Sequence, residues 1–526
     1  MLRKIKLLLS TVRWLKPKQV KYQILYRLNK ARTLSNYNRD YDRSKIVFPG
    51  FSVRPPVYKS LNSECVFTFL NLTVTFEGDI DWNYQGNGKL WNYNLQYGNY
   101  LLQDDVPDEI KSKLLVKIYK WLNDGRLPLE PYPVSLRIIN VVRHISAHQS
   151  ANEFILKNVH AELDFLSERP EYHLLGNHLL ENAFALMMGG AFFSNVHWLN
   201  QGKAILMEEL EEQILKDGGH FELSPMYHQI ILFRLLELID WYTKFEKKDS
   251  NFENCIIGKA RKMLSWLENV TFSNGEIPHF NDSADGIAYS STWLRHYAKL
   301  LDISAEQNLA LLASGYRAFK MPDYECVVDV AQIGPMYQPG HGHADALSFI
   351  MYYKGKALFV EQGTSTYQIG DRRNLERSTS AHNTVVVNQR NQSNVWGGFR
   401  VAERAHVELV SDDKNLLSAK HDGYKSLGIE HVRAFEFLPS SVSITDKAVG
   451  SQAMLKVAYF HLHPDIKADL VNETLKLSGI GVLTVDGAEI IALESYNMAQ
   501  GYNKYKKAQR LVISFKNDLR TNILFN

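Results

Sequence analysis

The side chains best able to do chemistry cluster in GPMYQPGHGHADALSFIMYYKGKALFVEQGTSTYQ, where His341 and His343 stand two apart and Asp345 follows. In an extended segment residues i and i+2 face the same side, which would let both imidazoles address one site. The neighbouring glycines leave that geometry open. Imidazole serves as a general base near neutral pH, or as a metal ligand when neutral. Glu361 follows the next hairpin, and His382 lies in STSAHNTVVV. Two His and one carboxylate suit a divalent metal with open positions. These residues are too far apart for a local metal motif, so spacing by itself supports the metal only weakly.

A second group lies in the helical part of the chain. GNHLLENA carries Asn177, His178 and Glu181, the last two sharing a face if a helix begins here. Asn at such a position also reads simply as a helix cap. In DGGHFELSPMYHQ, Tyr227 and His228 follow Ser224 and Pro225, a pair that starts a helix without any ligand. NGEIPHFNDSADG, with Asn281, Asp282 and Asp285, reads as a polar loop lacking the full pattern of a calcium loop.

The elements that must position these groups differ between the two halves. From about Pro107 to Leu301 apolar residues recur at helical spacing in segments such as SLRIINVVRHISAHQ and YHQIILFRLLELIDWYTKF, which predicts stacked helical hairpins. No fixed residue repeat accompanies them. After about Asp323 short β-branched and aromatic runs follow one another without helices, which predicts an antiparallel sandwich. YYKGKALFVEQG reads as a hairpin turning at Lys354-Gly355. The expected division is an N-terminal lead-in over 1–100, a helical domain over 101–315 and a β domain over 316–526. The stretch IDWNYQGNGKLWNYNLQYGNY is read as irregular.

Composition bounds the answer. The 526 residues, 45% hydrophobic and 22% charged, are those of a folded chain of two or three domains. With 60 Lys+Arg against 57 Asp+Glu, the net +3 lacks the basic excess of a nucleic-acid binder. Cys65, Cys255 and Cys326 form neither a metal pair nor a disulfide framework. The start, MLRKIKLLLSTVRWLKPKQVKYQILYRLNKAR, has only Leu7, Leu8 and Leu9 as an apolar run, too short for a signal peptide. A cytoplasmic location and no membrane span are therefore expected. The same segment has the spacing of a basic amphipathic helix, lying on an anionic membrane or packed on its own domain.

Taken together, DGGHFELSPMYHQ, PGHGHADALSF, EQGTSTYQ, RSTSAHNTVVV and NQSNVWGGFRVAERA resemble the heparinase II/III-like polysaccharide lyases, in the family's order from about Gly176 to about Ala405. The resemblance implies an N-terminal (α/α) toroid, a C-terminal antiparallel β-sandwich and an active cleft between them. It further implies β-elimination on a uronic-acid-containing polysaccharide. Such an enzyme must neutralise the uronate carboxylate, remove the C5 proton and protonate the leaving oxygen at C4. By resemblance Asn177 and His178 neutralise the carboxylate, Tyr227 is the acid, and His341 is the base. Tyr227 would do both when the C5 proton and leaving group share a face. His343, Glu361 and His382 match a structural divalent metal site, zinc or calcium, although the family commonly has Asp at the position of Glu361. Arg377 and Glu181 are candidates for substrate binding, Arg377 through bidentate pairing with acid groups. It is equally readable as a structural arginine. No organic cofactor is expected.

Candidate substrates are heparan-sulfate-like, other glycosaminoglycan-like or alginate-like chains, or a bacterial capsule repeat. Two other functions fit the same residues. A uronyl C5-epimerase would use the same acid and base. A non-catalytic glycan-binding protein of surface-polysaccharide biosynthesis would not need an acid/base set at all. Oligomeric state is not legible in the sequence.

Overall fold

The computed structural model describes residues 2–29, 33–149, 152–450 and 454–526. Two helices, α1 (Leu2–Val12) and α2 (Pro17–Leu28), lead into a small antiparallel sheet of β1 (Leu61–Ser63), β2 (Val66–Phe69) and β3 (Leu72–Thr75). Then come α3 (Lys89–Tyr97), α4 (Asp108–Asn123), α5 (Pro131–His148), α6 (Glu153–Glu168), α7 (Gly176–Phe192), α8 (Val196–Gln213), α9 (Pro225–Tyr242), α10 (Ser250–Val270) and α11 (Ser291–Leu300). The Asn-rich stretch read as irregular in fact holds α3. Trp91 and Leu95 of that helix are buried in the helical core, and Arg137 and Asn140 of α5 donate to carbonyls at its C-terminal end. Polar residues in a short helix hide its period from sequence inspection. The helical body therefore begins ahead of residue 101.

Consecutive helices pack as hairpins around one apolar core, the toroid. Helix α7 is buried almost all round, so its apolar residues carry no amphipathic stripe. Gly190 of α7 lies where a Cβ would come within 2.6 Å of the Leu199 backbone nitrogen in α8, so the close crossing of these helices depends on that glycine.

The β half begins with a four-stranded antiparallel sheet, β4 (Tyr316–Lys320), β5 (Tyr324–Asp329), β6 (Phe349–Tyr353) and β7 (Lys356–Phe359). Lys354 and Gly355 both take positive φ and turn the β6–β7 hairpin as expected. A short helix α12 (Asp371–Glu376) and β8 (Val385–Val387) precede the hairpin of β9 (Val395–Trp396) and β10 (Arg400–Val401). The remaining strands are β11 (Val407–Asp412), β12 (Leu416–His421), β13 (Ile429–Leu438), β14 (Ser441–Gly450), β15 (Lys456–His461), β16 (Ala468–Val471), β17 (Thr474–Leu477), β18 (Gly481–Ala499) and β19 (Tyr505–Phe525). They form a large antiparallel sheet in the order β11-β12-β13-β14-β19-β18-β17-β16, with β15 joining β19 to β8. The two sheets share one core, in which Phe319 stacks on Phe437 at 3.9 Å and Phe349 meets Phe435. That is a sandwich.

The N-terminal helix packs on its own chain along one side. Thr11 of α1 accepts from the Trp396 indole nitrogen at 3.2 Å, and Arg404 lies over the Trp14 ring, so one side of the segment rests on the β9–β10 hairpin. Ile5, Leu8, Leu9 and Val12 remain exposed. No helix among the described residues is long and apolar enough to cross a membrane.

Candidate active site

Three backbone corners of the helical half and three loops of the β half converge on one buried cluster. Leu175, Leu223 and Asn281 all adopt positive φ, immediately before Gly176-Asn177, after Glu222 and before Asp282. Leucine pays for that conformation, and here it turns the chain so that the polar neighbours point inward. Asn177 is not the cap of α7, as the sequence had suggested. Leu175 holds that position, and Asn177 sits within the first turn. Ser224 does cap α9, accepting from the Tyr227 N–H at 3.2 Å, and its hydroxyl donates to the Asp282 carbonyl at 2.7 Å. The same cap that starts the Tyr227 helix thus fastens the Asp282 loop.

Asp282, which sequence reading left in a polar loop, is the hub. His341 Nδ1 donates to its Oδ2 at 2.9 Å, His343 Nε2 to its Oδ1 at 2.9 Å, and Arg373 Nη2 to Oδ2 at 2.7 Å. Asp282 and Arg373 are fully buried. Burial opposes the charge on Asp282, but Arg373 first and then the two histidines outweigh it, holding the carboxyl well below the usual range. Desolvation lowers His343 to about 4 despite its bond to Asp282, so it is neutral near pH 7. His341 and His343 do address one group as expected, although the segment carrying them is a loop and not a strand.

Around His341 the other groups close in. Its ring lies 3.9 Å, centroid to centroid, from that of Tyr227, whose hydroxyl is 3.3 Å from the Tyr367 hydroxyl. Burial, reinforced by Tyr502, keeps the Tyr227 phenol protonated far above its ordinary value. Asn177 Nδ2 donates to Glu222 at 2.8 Å and comes within 3.5 Å of His341 Nε2. His178 Nδ1 pairs with Glu171 at 3.1 Å, with its ring against Tyr132 at 4.2 Å. Burial works against the His178 charge, yet Glu171 prevails and raises its pKa. The structure therefore brings Asn177, His178, Tyr227 and His341 to one place. Sequence reading missed Asp282, Glu171 and Arg373, whose positions carry no local motif, and also Glu222 and Tyr367, which lie within DGGHFELSPMYHQ and EQGTSTYQ but were given no role.

Two expected substrate-binding residues are committed elsewhere. Glu181 is buried and ion-paired with Arg234 at 3.0 Å, inside a network that continues to Glu237 and Arg143. Arg377 is buried too, its guanidinium donating to the carbonyls of Gly342 at 2.9 Å and Gly398 at 2.8 Å. It supports the loops carrying His341 and Phe399, and those carbonyls occupy the fork that would otherwise take an acid group.

His343, Glu361 and His382 are neighbours. The imidazole rings lie 5.3 Å apart, and the Glu361 carboxylate engages His382 Nδ1 and the Ser348 hydroxyl. His343 Nδ1 and His382 Nε2 are buried and unpartnered among the described residues, as nitrogens awaiting a metal would be. The donor types suit zinc. Three ligand atoms of this set do not, however, converge within 4.8 Å.

The helical toroid and the β-sandwich together form a fold shared with solved structures. Over 97% of this chain and 92% of the other, the fold matches a crystal structure of heparinase III with a TM-score of 0.73 at 18% identity. It also matches a Streptomyces coelicolor chondroitin AC lyase with a TM-score of 0.55 at 10% identity, over 83% and 75% of the two chains. The heparinase II/III N-terminus model matches residues 141–309, and the C-terminal heparinase II/III-like model matches 305–525. The chain belongs to the heparinase II/III-like family. It is 26% identical to a heparin-sulfate lyase of Bacteroides stercoris, over 66% of this chain and 57% of that protein. To an exo-oligoalginate lyase of Saccharophagus degradans it is 31% identical, over 44% and 39%. The chain thus spans less than two thirds of the length of these curated relatives.

Proposed function

We propose that the protein is a polysaccharide lyase that cleaves a uronic-acid-containing, glycosaminoglycan-like glycan by β-elimination. The observation that carries this is the pairing of an Asp282-oriented imidazole with a protonated phenol at van der Waals distance. With Nδ1 donating to Asp282, the lone pair of neutral His341 lies on Nε2, beside Asn177. That nitrogen takes the C5 proton. The Asn177 amide hydrogen turned towards it and the cationic form of His178 stabilise the charge that develops on the uronate carboxylate. Tyr227, held protonated, donates to the departing O4. Elimination then leaves a C4–C5 double bond, and the enzyme returns to its starting state when His341 gives up the C5 proton and the Tyr227 phenolate takes one back, both by exchange with solvent.

A divalent metal at His343, Glu361 and His382 is part of this proposal, supported by the two unpartnered imidazole nitrogens. It would fix the side chains beneath the base, and no proton step passes through it. Incubation with a panel of uronate polymers tests the function. A rise in ultraviolet absorbance from the new double bond is the expected result. Flat absorbance together with C5 exchange in deuterated solvent would mean epimerisation, and neither signal on any polymer would refute catalysis.

An anionic bilayer is the proposed partner of the N-terminal segment. Residues 1–39 contain eleven Lys and Arg and no Asp or Glu, and α1 leaves Ile5, Leu8, Leu9 and Val12 exposed. Cosedimentation with phosphatidylglycerol-containing vesicles, lost with neutral vesicles and in Leu8→Glu/Leu9→Glu, is expected. Equal binding of that variant would refute it.

A further inference from the structure

A cavity of about 540 Å³ in the helical half shares no lining residue with the active cleft. The segment 48–55 forms one wall, and the last turns of α5 form another, including Arg143, His144 and His148. At its edge His144 and His148 stand one helical turn apart with their rings 4.7 Å from each other, and Asp108, in the first turn of α4, reaches across to them. One ligand atom from each of the three lies within 4.8 Å of the others, the one group of three His, Cys, Asp or Glu among the described residues that does so.

The hydrogen bonds around this cluster ask for a cation. His148 Nδ1 lies 2.8 Å from the carbonyl of His144, which can only accept, so Nδ1 carries the hydrogen. In neutral His148 the lone pair is therefore on Nε2, and Nε2 faces Asp108 Oδ2 at 2.9 Å. Two acceptors at that distance repel unless a proton or a metal ion lies between them. A backbone carbonyl fixing the distal nitrogen is also how metal-bound imidazoles are commonly oriented. His144 is 9% exposed, and neither of its ring nitrogens makes a hydrogen bond among the described residues. The cluster also lies at the C-terminus of α5, where the helix dipole favours positive charge. Lys111 approaches the other oxygen of Asp108, Oδ1, at 3.4 Å and leaves Oδ2 to the imidazole. Its charge counts against a second cation, so the case rests on the imidazole pair.

We propose that Asp108, His144 and His148 form a zinc site, with the remaining coordination position open to the cavity for water or an anionic oxygen ligand. Two neutral imidazoles and one carboxylate with one open position are a donor set that zinc adopts. The i, i+4 pair presents both rings from one helix face. Bound zinc would tie the start of α4 to the end of α5. The inference does not depend on the lyase reading.

The test is calorimetric titration of zinc chloride into the chelator-treated full chain, with thermal unfolding read in parallel. His144→Ala/His148→Ala and Asp108→Asn test this site, while His382→Ala removes a ligand from the cluster beneath the base. The expected result is one zinc equivalent that persists in His382→Ala and weakens more than about tenfold in the double variant. Asp108→Asn, which alters an exposed side chain, should weaken it in the same direction. Zinc should raise the unfolding temperature of the His382→Ala protein but not of the folded protein that carries His144→Ala/His148→Ala together with His382→Ala. Zinc binding to His382→Ala that is unchanged by either Asp108→Asn or the double substitution would overturn the proposal. So would no zinc binding to His382→Ala, which would leave only a proton between His148 and Asp108.

Discussion

His341 Nδ1 donates to Asp282 Oδ2 at 2.9 Å, and that one bond fixes which imidazole nitrogen faces the cleft. Arg373 and His343 fill the remaining capacity of the carboxylate, so Asp282 orients the base without competing for its proton. Asp282→Asn should therefore do two things. Presenting an amide N–H to the ring favours the wrong tautomer, and kcat should fall on the order of 10³-fold or more. Arg373 would lose its buried counter-ion, which costs about 3–5 kcal/mol. Activity assays and chemical denaturation of the same variant separate the two effects. A fully active variant would remove His341 as the base.

Tyr227 offers a cleaner separation of chemistry from stability. Among the described residues its hydroxyl has one side-chain partner, Tyr367 at 3.3 Å, while its ring packs on His341. Tyr227→Phe keeps the ring and removes the acid. Activity should fall by about 10²-fold or more, with stability changed by about 1 kcal/mol at most. An active Tyr227→Phe enzyme would transfer the acid role to another group.

How much of this was legible beforehand depends on where the informative residue lies. The two-domain outline follows from apolar period, because helical and strand spacing differ over long stretches. His341 and His343 were legible because His-x-His between glycines is unusual in itself. Asp282 was not, because its partners are 59 and 61 positions away and its own surroundings, NDSADG, look like any polar loop. Arg373 and Arg377 occupy successive turns around α12, and sequence offers no way to tell which faces a carboxylate and which faces carbonyls. Only the burial of both, with Asp282 beside one, distinguishes them.

Glu181 illustrates the same limit and yields a prediction. Its carboxylate meets Arg234 at 3.0 Å in the helical interior. Glu181→Gln should lower stability by about 1–3 kcal/mol, since Arg234 retains Glu237. KM should change little, and a large rise in KM with unaltered unfolding would return Glu181 to substrate binding.

Gly176 has two independent reasons to be glycine. Its φ is +63°, and an added Cβ would meet Glu222 Oε1 and Gln338 Oε1 at 2.6 Å. Glu222 is the anchor of Asn177. Gly176→Ala should thus strain the start of α7 and displace the Glu222–Asn177 pair, lowering kcat more than stability alone explains. Comparing kcat of the folded fraction with the loss of unfolding free energy checks this.

The last prediction concerns pH. Asp345 and Asp329 are both buried, and desolvation pushes both pKa values above the ordinary carboxylate range, aided at Asp329 by Asp345 and at Asp345 by Asp282. Asp345 Oδ2 has no hydrogen-bond partner among the described residues. A carboxyl whose folded pKa is raised holds its proton in the native state at pH values where the unfolded chain has released it. Native protein then binds more protons than unfolded protein, and this contribution to stability falls as pH rises through that window. Asp282 has the opposite sign, its contribution being present above the unfolded carboxylate pKa and lost in acid as its depressed folded pKa is approached. Asp345→Asn removes the Asp345 share of the first effect and leaves the second. The free-energy difference between variant and parent should therefore shift in favour of the variant from about pH 4 towards neutrality, as denaturation at a series of pH values would show. A difference independent of pH would mean that Asp345 titrates normally in the folded protein.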